Sequence, residues 1–102
     1  ENARMELRIT SRENEKVKQL CKLRESASFR QAQNCFLAEG VRLCRDIAAV
    51  WPPLEVYHTD KVLEQHPELQ DLPGRHVMIS QSVADKISDT KNPQGIFSDR
   101  KM

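Results

Sequence analysis

Basic side chains recur along residues 11–30 at spacings that could place several of them against one phosphate backbone. Lys18 and Lys22 are four residues apart, as are Arg12 and Lys16, so each pair would lie on one face of a helix. Cations aligned in this way are typical of surfaces that bind RNA or DNA. The alternative is a solvated helix face, in which Lys18 and Lys22 pair with nearby acids and stabilise the helix by a few tenths of a kcal/mol each. The pattern alone leaves both interpretations open.

Other chemistry has little support in the sequence. His58, His66 and His76 are scattered and lack a Cys or acidic partner at metal-ligand spacing, so we interpret them as structural or solvent-facing. Cys35 and Cys44 fall on apolar runs, where a thiol behaves as a small hydrophobe. With 3 glycines in the chain, a phosphate-cradling loop is not indicated. We therefore predict no catalytic residue, no cofactor site and no metal site within these residues.

Glu39 follows a short apolar run and precedes Gly40, a position where α/β proteins often place functional groups. It could act as a general base. It could equally receive the first backbone amides of the helix that follows, because an acid near a helix N-terminus is generally favourable. We favour the second interpretation.

Periodicity predicts the elements that would position these side chains. Ser11 is a suitable N-cap for a helix, and the four-residue run Cys35–Ala38 suggests a buried, central strand. The predicted helices are 11–25, a short turn at 29–33, 41–50, a segment from Asp60 that ends at Pro67, and one opened by Ser82 that continues to Ser88. The other predicted strands are 54–59 and 76–80. This alternation predicts an α/β fold, a three-layer α/β/α sandwich with a small, mostly parallel sheet.

Length and composition fit one domain with a modest core. Lys plus Arg number 16 against 15 Asp plus Glu, so net charge does not identify a partner. Three cysteines without zinc spacing indicate reduced thiols, and no apolar run approaches the roughly 18 residues of a membrane span. We predict a cytoplasmic protein without membrane contact. Because the first residue is Glu1, an organellar protein that has lost its transit peptide is the alternative.

The last eleven residues combine a turn with an apolar start. Asn92, Pro93 and Gly95 are turn residues, and Ile96 and Phe97 begin a run of the kind that opens a strand. We interpret residues 1–91 as the domain. We interpret residues 92–102 as a linker and the first residues leading into another domain.

The order of these residues resembles the N-terminal substrate-binding domain of the SpoU, or TrmH-like, family of RNA 2′-O-ribose methyltransferases. The resemblance covers about 90 of the 102 residues. Its opening motif is carried by Ile9, Ser11, Asn14, Val17, Lys18, Leu23, Arg30, Phe36, Glu39, Gly40 and Leu43. Its closing motif is carried by Ile87, Ser88, Thr90, Pro93, Gln94 and Gly95.

The resemblance implies a fold like that of the 30e-type ribosomal proteins, which holds structured RNA for a catalytic domain. It implies that this SPOUT methyltransferase domain follows the present residues, binds S-adenosylmethionine and forms a homodimer. The chain itself would supply neither catalysis nor cofactor binding. Structured RNA is the expected partner, with rRNA favoured over tRNA. The RNA-contacting residues that we predict are Ser11, Arg12, Asn14, Lys18, Lys22, Arg24 and Arg30.

One departure from the family concerns charge. Many relatives are more basic after the first helix, whereas this chain has Arg30 among Gln31, Gln33 and Asn34. Amide hydrogen bonds should then carry more of the affinity. Two other hypotheses remain at this point, a stand-alone ribosomal-protein-like RNA-binding domain and a protein-interaction module without an RNA role.

Overall fold

The computed structural model describes residues 7–101, in which five strands alternate with five α-helices and one 3₁₀ helix. The strands are β1 Leu7–Ile9, β2 Cys35–Glu39, β3 Glu55–His58, β4 Arg75–Ile79 and β5 Ile96–Lys101. The helices are α1 Glu15–Glu25, α2 Ala27–Gln33, α3 Val41–Val50, α4 Asp60–Gln65 and α5 Gln81–Ile87, with the 3₁₀ helix at Pro67–Asp71. The α/β class predicted from periodicity is confirmed.

The sheet is mixed, with strand order β1-β4-β3-β5-β2. The β1–β4 and β4–β3 pairs are parallel, whereas β5 is antiparallel to both β3 and β2. The prediction of a mostly parallel sheet is therefore wrong, because β5 enters between two strands from the opposite direction. The central position predicted for residues 35–38 is also wrong. β2 pairs only with β5 and lies at the sheet edge, where Phe36 and Leu37 are only half-buried.

Helices cover both faces of the sheet. Successive side chains of the inner strands point to opposite faces, so each inner strand packs against helices on both sides. Tyr57 and Phe97 pack on one face with residues of α1, α2 and α5. Val56 and Ile96 pack on the other face with residues of α3, α4 and the 3₁₀ helix. Each inner strand therefore contributes to two cores. Because both of its faces are covered, most side chains of the short strands β3 and β5 are buried.

The helix starts differ from the predicted ones by a few residues. Ser11 does not cap α1; the Oδ1 of Asn14 accepts the Lys16 backbone amide at 2.8 Å. Thr59 and Ser80 cap α4 and α5, one and two residues before the predicted starts. Each of these hydroxyls directly follows a strand and accepts an amide three residues on.

Part of the segment predicted as a linker, residues 92–102, lies in the sheet. Residues 96–101 form β5, which lies between β3 and β2, and Ile96 and Phe97 are fully buried. The turn before it is fixed by Gly95 at φ +88°, where a Cβ would lie 2.6 Å from Thr59 Oγ1. The sequence indicated the start of this strand correctly, but only the pairing partners reveal that β5 joins β2 to the other three strands of the sheet.

All three cysteines are free thiols in the structure. Cys35 and Cys44 are buried and Cys21 is half-buried, as the apolar runs predicted for the first two. Burial raises the pKa of Cys44 to about 11, so its thiol stays protonated and unreactive at neutral pH.

Candidate RNA interface

The α1 helix separates its apolar and basic side chains cleanly. Val17, Leu20 and Leu23 are buried in the core beneath the helix. Lys18 and Lys22 are exposed on its outer side, one turn apart. The helix therefore presents a short basic stripe to solvent, which is the arrangement that the sequence predicted.

The two lysines of this stripe keep their ammonium groups accessible. Lys18 forms an ion pair with Glu15 at 3.4 Å, and its side chain is 49% exposed. The Nζ of Lys22 lies 5.6 Å from the centre of the Phe29 ring. An exposed pair of this kind contributes little to stability, so a phosphate could replace Glu15 as the partner of Lys18 at small cost.

The two arginines at the far end of α1 have mainly structural contacts. Arg30 donates from Nη1 to the carbonyl oxygens of Leu23 and Arg24, at 2.7 and 3.0 Å. It thereby satisfies carbonyls left open at the end of the helix. Arg24 contacts Glu25 at 3.0 Å and Asp89 at 3.4 Å, and its Nε is buried without a hydrogen-bond partner.

Both arginines also line a cleft of about 360 Å³ between the end of α1, the edge strand β2 and the turn after α5. Phe36 supplies an aromatic surface to this cleft, and Glu39 and Asp89 supply carboxylates. Guanidinium, aromatic and carboxylate groups together can stack on and hydrogen-bond an unpaired nucleobase. This cleft is the part of the predicted site in which residues distant in sequence come together.

The remaining predicted residues lie at the other end of α1. The hydroxyl of Ser11 accepts the Glu13 amide at 3.1 Å, and Asn14 is the N-cap, so the acceptor groups of both side chains already have local partners. The carbonyl oxygen of Arg12 accepts a hydrogen bond from Lys86 Nζ at 2.9 Å. Because eleven residues of α-helix rise about 16 Å, the predicted residues form a line along α1 and not one cluster.

Glu39 does not cap α3 as we expected. Its carboxylate accepts hydrogen bonds from the Ser88 hydroxyl and from the Asp89 amide, the latter at 3.1 Å. The first amide of α3, at Val41, instead donates to Gln94 Oε1 at 2.9 Å. Glu39 therefore orders the turn after α5. No local pattern could predict this contact, because the partners of Glu39 lie 49 and 50 residues away.

A second polar cleft was not predicted. It measures about 200 Å³ and lies where α3, α4 and α5 begin, after the carboxyl ends of β2, β3 and β4. Lys61, His66 and three glutamines, Gln65, Gln81 and Gln94, contribute polar groups to it. Fold class alone could have suggested a cleft here, because α/β sheets commonly bind ligands at the carboxyl ends of their strands.

A partly buried group of charges occupies the opposite end of the sheet. Lys16 contacts Glu55 at 2.9 Å, and Glu55 also accepts the Tyr57 hydroxyl at 2.5 Å. Asp99, on β5, accepts the Glu55 backbone amide at 2.9 Å. Burial, and then the charge of Glu55, raise the pKa of Asp99 to about 6. Lys16 is thus engaged with Glu55 and is less available to a ligand than Lys18 or Lys22.

The pKa of Glu55 moves the other way. Burial favours its neutral form, but hydrogen bonds from Tyr57 and Lys16 and the charge of Lys16 outweigh burial and leave the pKa below its usual 4.5. At neutral pH Glu55 therefore carries the charge that Lys16 neutralises.

His58 and His76 form a structural pair. Nε2 of His76 donates to the Leu72 carbonyl oxygen at 2.7 Å, so its Nδ1 can accept from Nε2 of His58 at 3.1 Å. In residues 7–101 no group of three or more His, Cys, Asp or Glu side chains is placed to hold a metal ion. None of the helices in that range is long and apolar enough to cross a bilayer.

Comparison with family models decides the assignment. The model of the MRM3-like substrate binding domain matches residues 14–98, from the N-cap of α1 to the middle of β5. The chain belongs to the MRM3-like substrate-binding domain family. The resemblance to the N-terminal domain of SpoU/TrmH methyltransferases is therefore confirmed. A search of curated protein sequences finds no significant match.

Solved structures of methyltransferases share the fold of this MRM3-like domain. An RNA 2′-O ribose methyltransferase superposes with a TM-score of 0.80 at 26% identity, over 94% of this chain and 38% of that one. An rRNA methyltransferase from Sinorhizobium meliloti gives 0.71 at 22% identity, over 93% and 36%. The SpoU methyltransferase AviRb from Streptomyces viridochromogenes, in complex with AdoMet, gives 0.69 at 17%, over 87% and 33%. The MRM3-like domain thus spans little more than a third of these proteins.

Proposed function

We propose that this domain recognises the RNA substrate of a larger S-adenosylmethionine-dependent 2′-O-ribose methyltransferase, with rRNA as the substrate. The observation that carries the proposal is the family match over residues 14–98, together with the exposed basic stripe on α1. Residues 7–101 form the RNA-binding domain, which has the layered architecture expected of a 30e-type fold. A catalytic domain follows it, binds the methyl donor and forms the homodimer.

The predicted RNA-binding residues differ in the contacts that their side chains make within the domain. Lys18 and Lys22 make only weak contacts and would pair with phosphates. Arg24 and Arg30 bound the 360 Å³ cleft, where their guanidinium planes could stack on a base. In this arrangement the α1 stripe follows the RNA backbone and the cleft receives an unpaired nucleotide from a loop or bulge.

In this proposal the methyl donor binds to the catalytic domain, because the family match over residues 14–98 is to a substrate-binding domain. The present residues contribute by orienting the ribose to be methylated.

The test is binding of residues 1–102 to fragments of structured rRNA at several salt concentrations, by fluorescence anisotropy. The double variant Lys18→Ala/Lys22→Ala should bind more weakly, and the slope of log affinity against log salt should fall by about 2, one for each lost phosphate contact. Lys61→Ala is the control, because Lys61 is exposed on α4, which packs on the opposite face of the sheet from α1. Equal binding by the double variant and the wild type at every salt concentration would contradict the proposed site.

A stand-alone RNA-binding protein would also bind in that assay. The full-length polypeptide separates the two hypotheses, because only a methyltransferase should transfer a methyl group from S-adenosylmethionine to a ribose 2′-hydroxyl of the bound RNA. We expect methyl transfer by the full-length protein to fall in the same double variant through a higher KM.

A further inference from the structure

The large exposed hydrophobic residues of the described chain are concentrated at one end of α3. Val50 is 86% exposed, Leu54 44% and Trp51 38%, and all three lie within five consecutive residues. Leu43, 49% exposed, lies two turns earlier on the same face of α3 as Val50. Single exposed hydrophobic side chains are ordinary, but a contiguous group marks a surface that another molecule covers.

Three contacts hold this surface against the sheet. The Trp51 ring lies 5.5 Å from that of Phe36, tilted by 51°, and the Arg100 guanidinium lies 5.4 Å from the Trp51 ring. The Leu54 amide donates to the Asp99 carbonyl oxygen at 2.8 Å. We call Phe36, Val50, Trp51, Leu54 and Arg100 the tryptophan surface. These contacts hold Trp51 and Leu54 in place before a partner binds, so less entropy is lost on docking.

The position of β5 indicates what covers the surface. Arg100 and Asp99, which contact Trp51 and Leu54, are among the last residues of β5, so whatever follows Lys101 leaves the domain beside this surface. The solved relatives that match are nearly three times as long as the matched region, since it makes up 36–38% of two of them. A domain joined through a short connection has a high effective concentration at the surface where that connection starts, so a small apolar area is enough to hold it.

We propose that the tryptophan surface docks the catalytic domain that follows β5, and so sets the position of the bound RNA relative to the methyl donor. This inference rests on the proposed function. A protein partner fits better than an RNA base, because Arg100 already covers the Trp51 ring and the most exposed members, Val50 and Leu54, are aliphatic and cannot stack on bases.

Hydroxyl-radical footprinting with residue-level mass spectrometry tests the proposal. Oxidation of Trp51 and Leu54 should be several-fold slower in the full-length protein than in residues 1–102. Adding RNA to residues 1–102 should leave both rates unchanged. Equal rates in the two proteins would overturn the proposal, and so would protection of Trp51 by RNA in residues 1–102, which would assign the surface to RNA.

A matched pair of variants controls for unfolding. Val50→Gln in the full-length protein should restore fast oxidation of Trp51, whereas Ala49→Gln, at the exposed neighbouring position, should not. Both substitutions are at exposed sites and should leave the thermal unfolding of residues 1–102 unchanged. If Val50→Gln leaves Trp51 protected, docking does not use this surface. Failure of RNA binding or methyl transfer would count against the proposed function. The footprinting comparison of the two proteins would remain a separate test of docking.

Discussion

The β5 strand and the α1 helix carry similar fractions of charged residues but use them in opposite ways. On α1, Lys18 and Lys22 face water and are held by weak contacts. On β5, Asp99 is only 5% exposed and belongs to a group that includes Glu55 and Lys16. The difference comes from position in the fold, since β5 has a strand on each side and helices over both faces, whereas α1 covers the sheet with one side only.

The comparison shows that charge in this domain has two separate roles. The exposed lysines of α1, Lys18 and Lys22, are available to a ligand and contribute little to stability. Charges around β5 are withdrawn from water and make stability depend on pH. Substitutions in the two regions should therefore be distinguishable by which measurement they change, stability or RNA affinity.

The largest effect is expected in β5, at Phe97. Replacing Phe97, which is fully buried, by Ala leaves a cavity in the core shared with α1 and α5 and should cost about 3–5 kcal/mol of unfolding free energy. Urea denaturation followed by circular dichroism measures this loss. Leu43→Ala, at a position 49% exposed, is the control and should cost much less. A small effect at Phe97 would mean that β5 is not an inner strand.

The next effect concerns Asp99 and pH. Its pKa rises on folding from the usual 3.8 to about 6, so folding favours the protonated carboxyl. That contribution is complete below pH 3.8 and is lost as pH rises to about 6 and above, a change of roughly 2 kcal/mol after allowance for screening. Asp99→Asn keeps an acceptor for the Glu55 amide and should not lose stability as pH rises from 4.5 to about 6.

Glu55 determines how stability changes at lower pH in the same experiment. Because its pKa is lowered on folding, its contribution is present above pH 4.5 and is lost as pH falls below that value. Urea denaturation of wild type and Asp99→Asn at a series of pH values separates the two carboxyls. Parallel curves for the two proteins would show that Asp99 does not titrate as the buried contacts indicate.

A smaller effect is expected where α1 ends. Arg30→Ala removes two hydrogen bonds to the last carbonyls of α1 and should cost about 1.5 kcal/mol, with a lower melting temperature. Arg30→Lys keeps the charge but not the two-carbonyl contact and should recover only part of the stability. If Arg30→Lys restores RNA affinity without restoring stability, the two roles of Arg30 are separate.

The smallest effect on stability is expected on the basic stripe. Lys18→Ala removes an exposed ion pair with Glu15 and should change the unfolding free energy by less than about 0.5 kcal/mol. Thermal unfolding measures this. A large destabilisation by Lys18→Ala would show that the stripe is structural and would remove the contrast with β5.

Local patterns predicted several elements well because their cause is local. The apolar positions Val17, Leu20 and Leu23 recur at helical spacing and are buried under α1. The strand start at Ile96 and Phe97 was also visible from its turn residues. The exact starts of α1 and α5 were missed, since several nearby Ser, Thr and Asn side chains could cap and tertiary contacts select among them.

Long-range contacts were beyond local patterns. The order of strands in the sheet brings Glu39 next to Ser88 and Asp89. It also places Glu39 and Asp89 beside the two arginines of the 360 Å³ cleft. The family resemblance supplied the identity of the domain and the candidate residues, but not which of them are already engaged in capping. Arg30 and Asn14 show this, because both occupy predicted RNA positions and both complete the ends of α1.

The sequence by itself determined the helix and strand types, the exposed lysines of α1 and the family, because side-chain periodicity and motif order act over neighbouring residues. The tertiary structure decided the mixed direction of the sheet, the inner position of β5 and the burial of Asp99. These features depend on which strands pair, and pairing is settled by the total apolar surface that the whole domain can bury on both faces of one sheet.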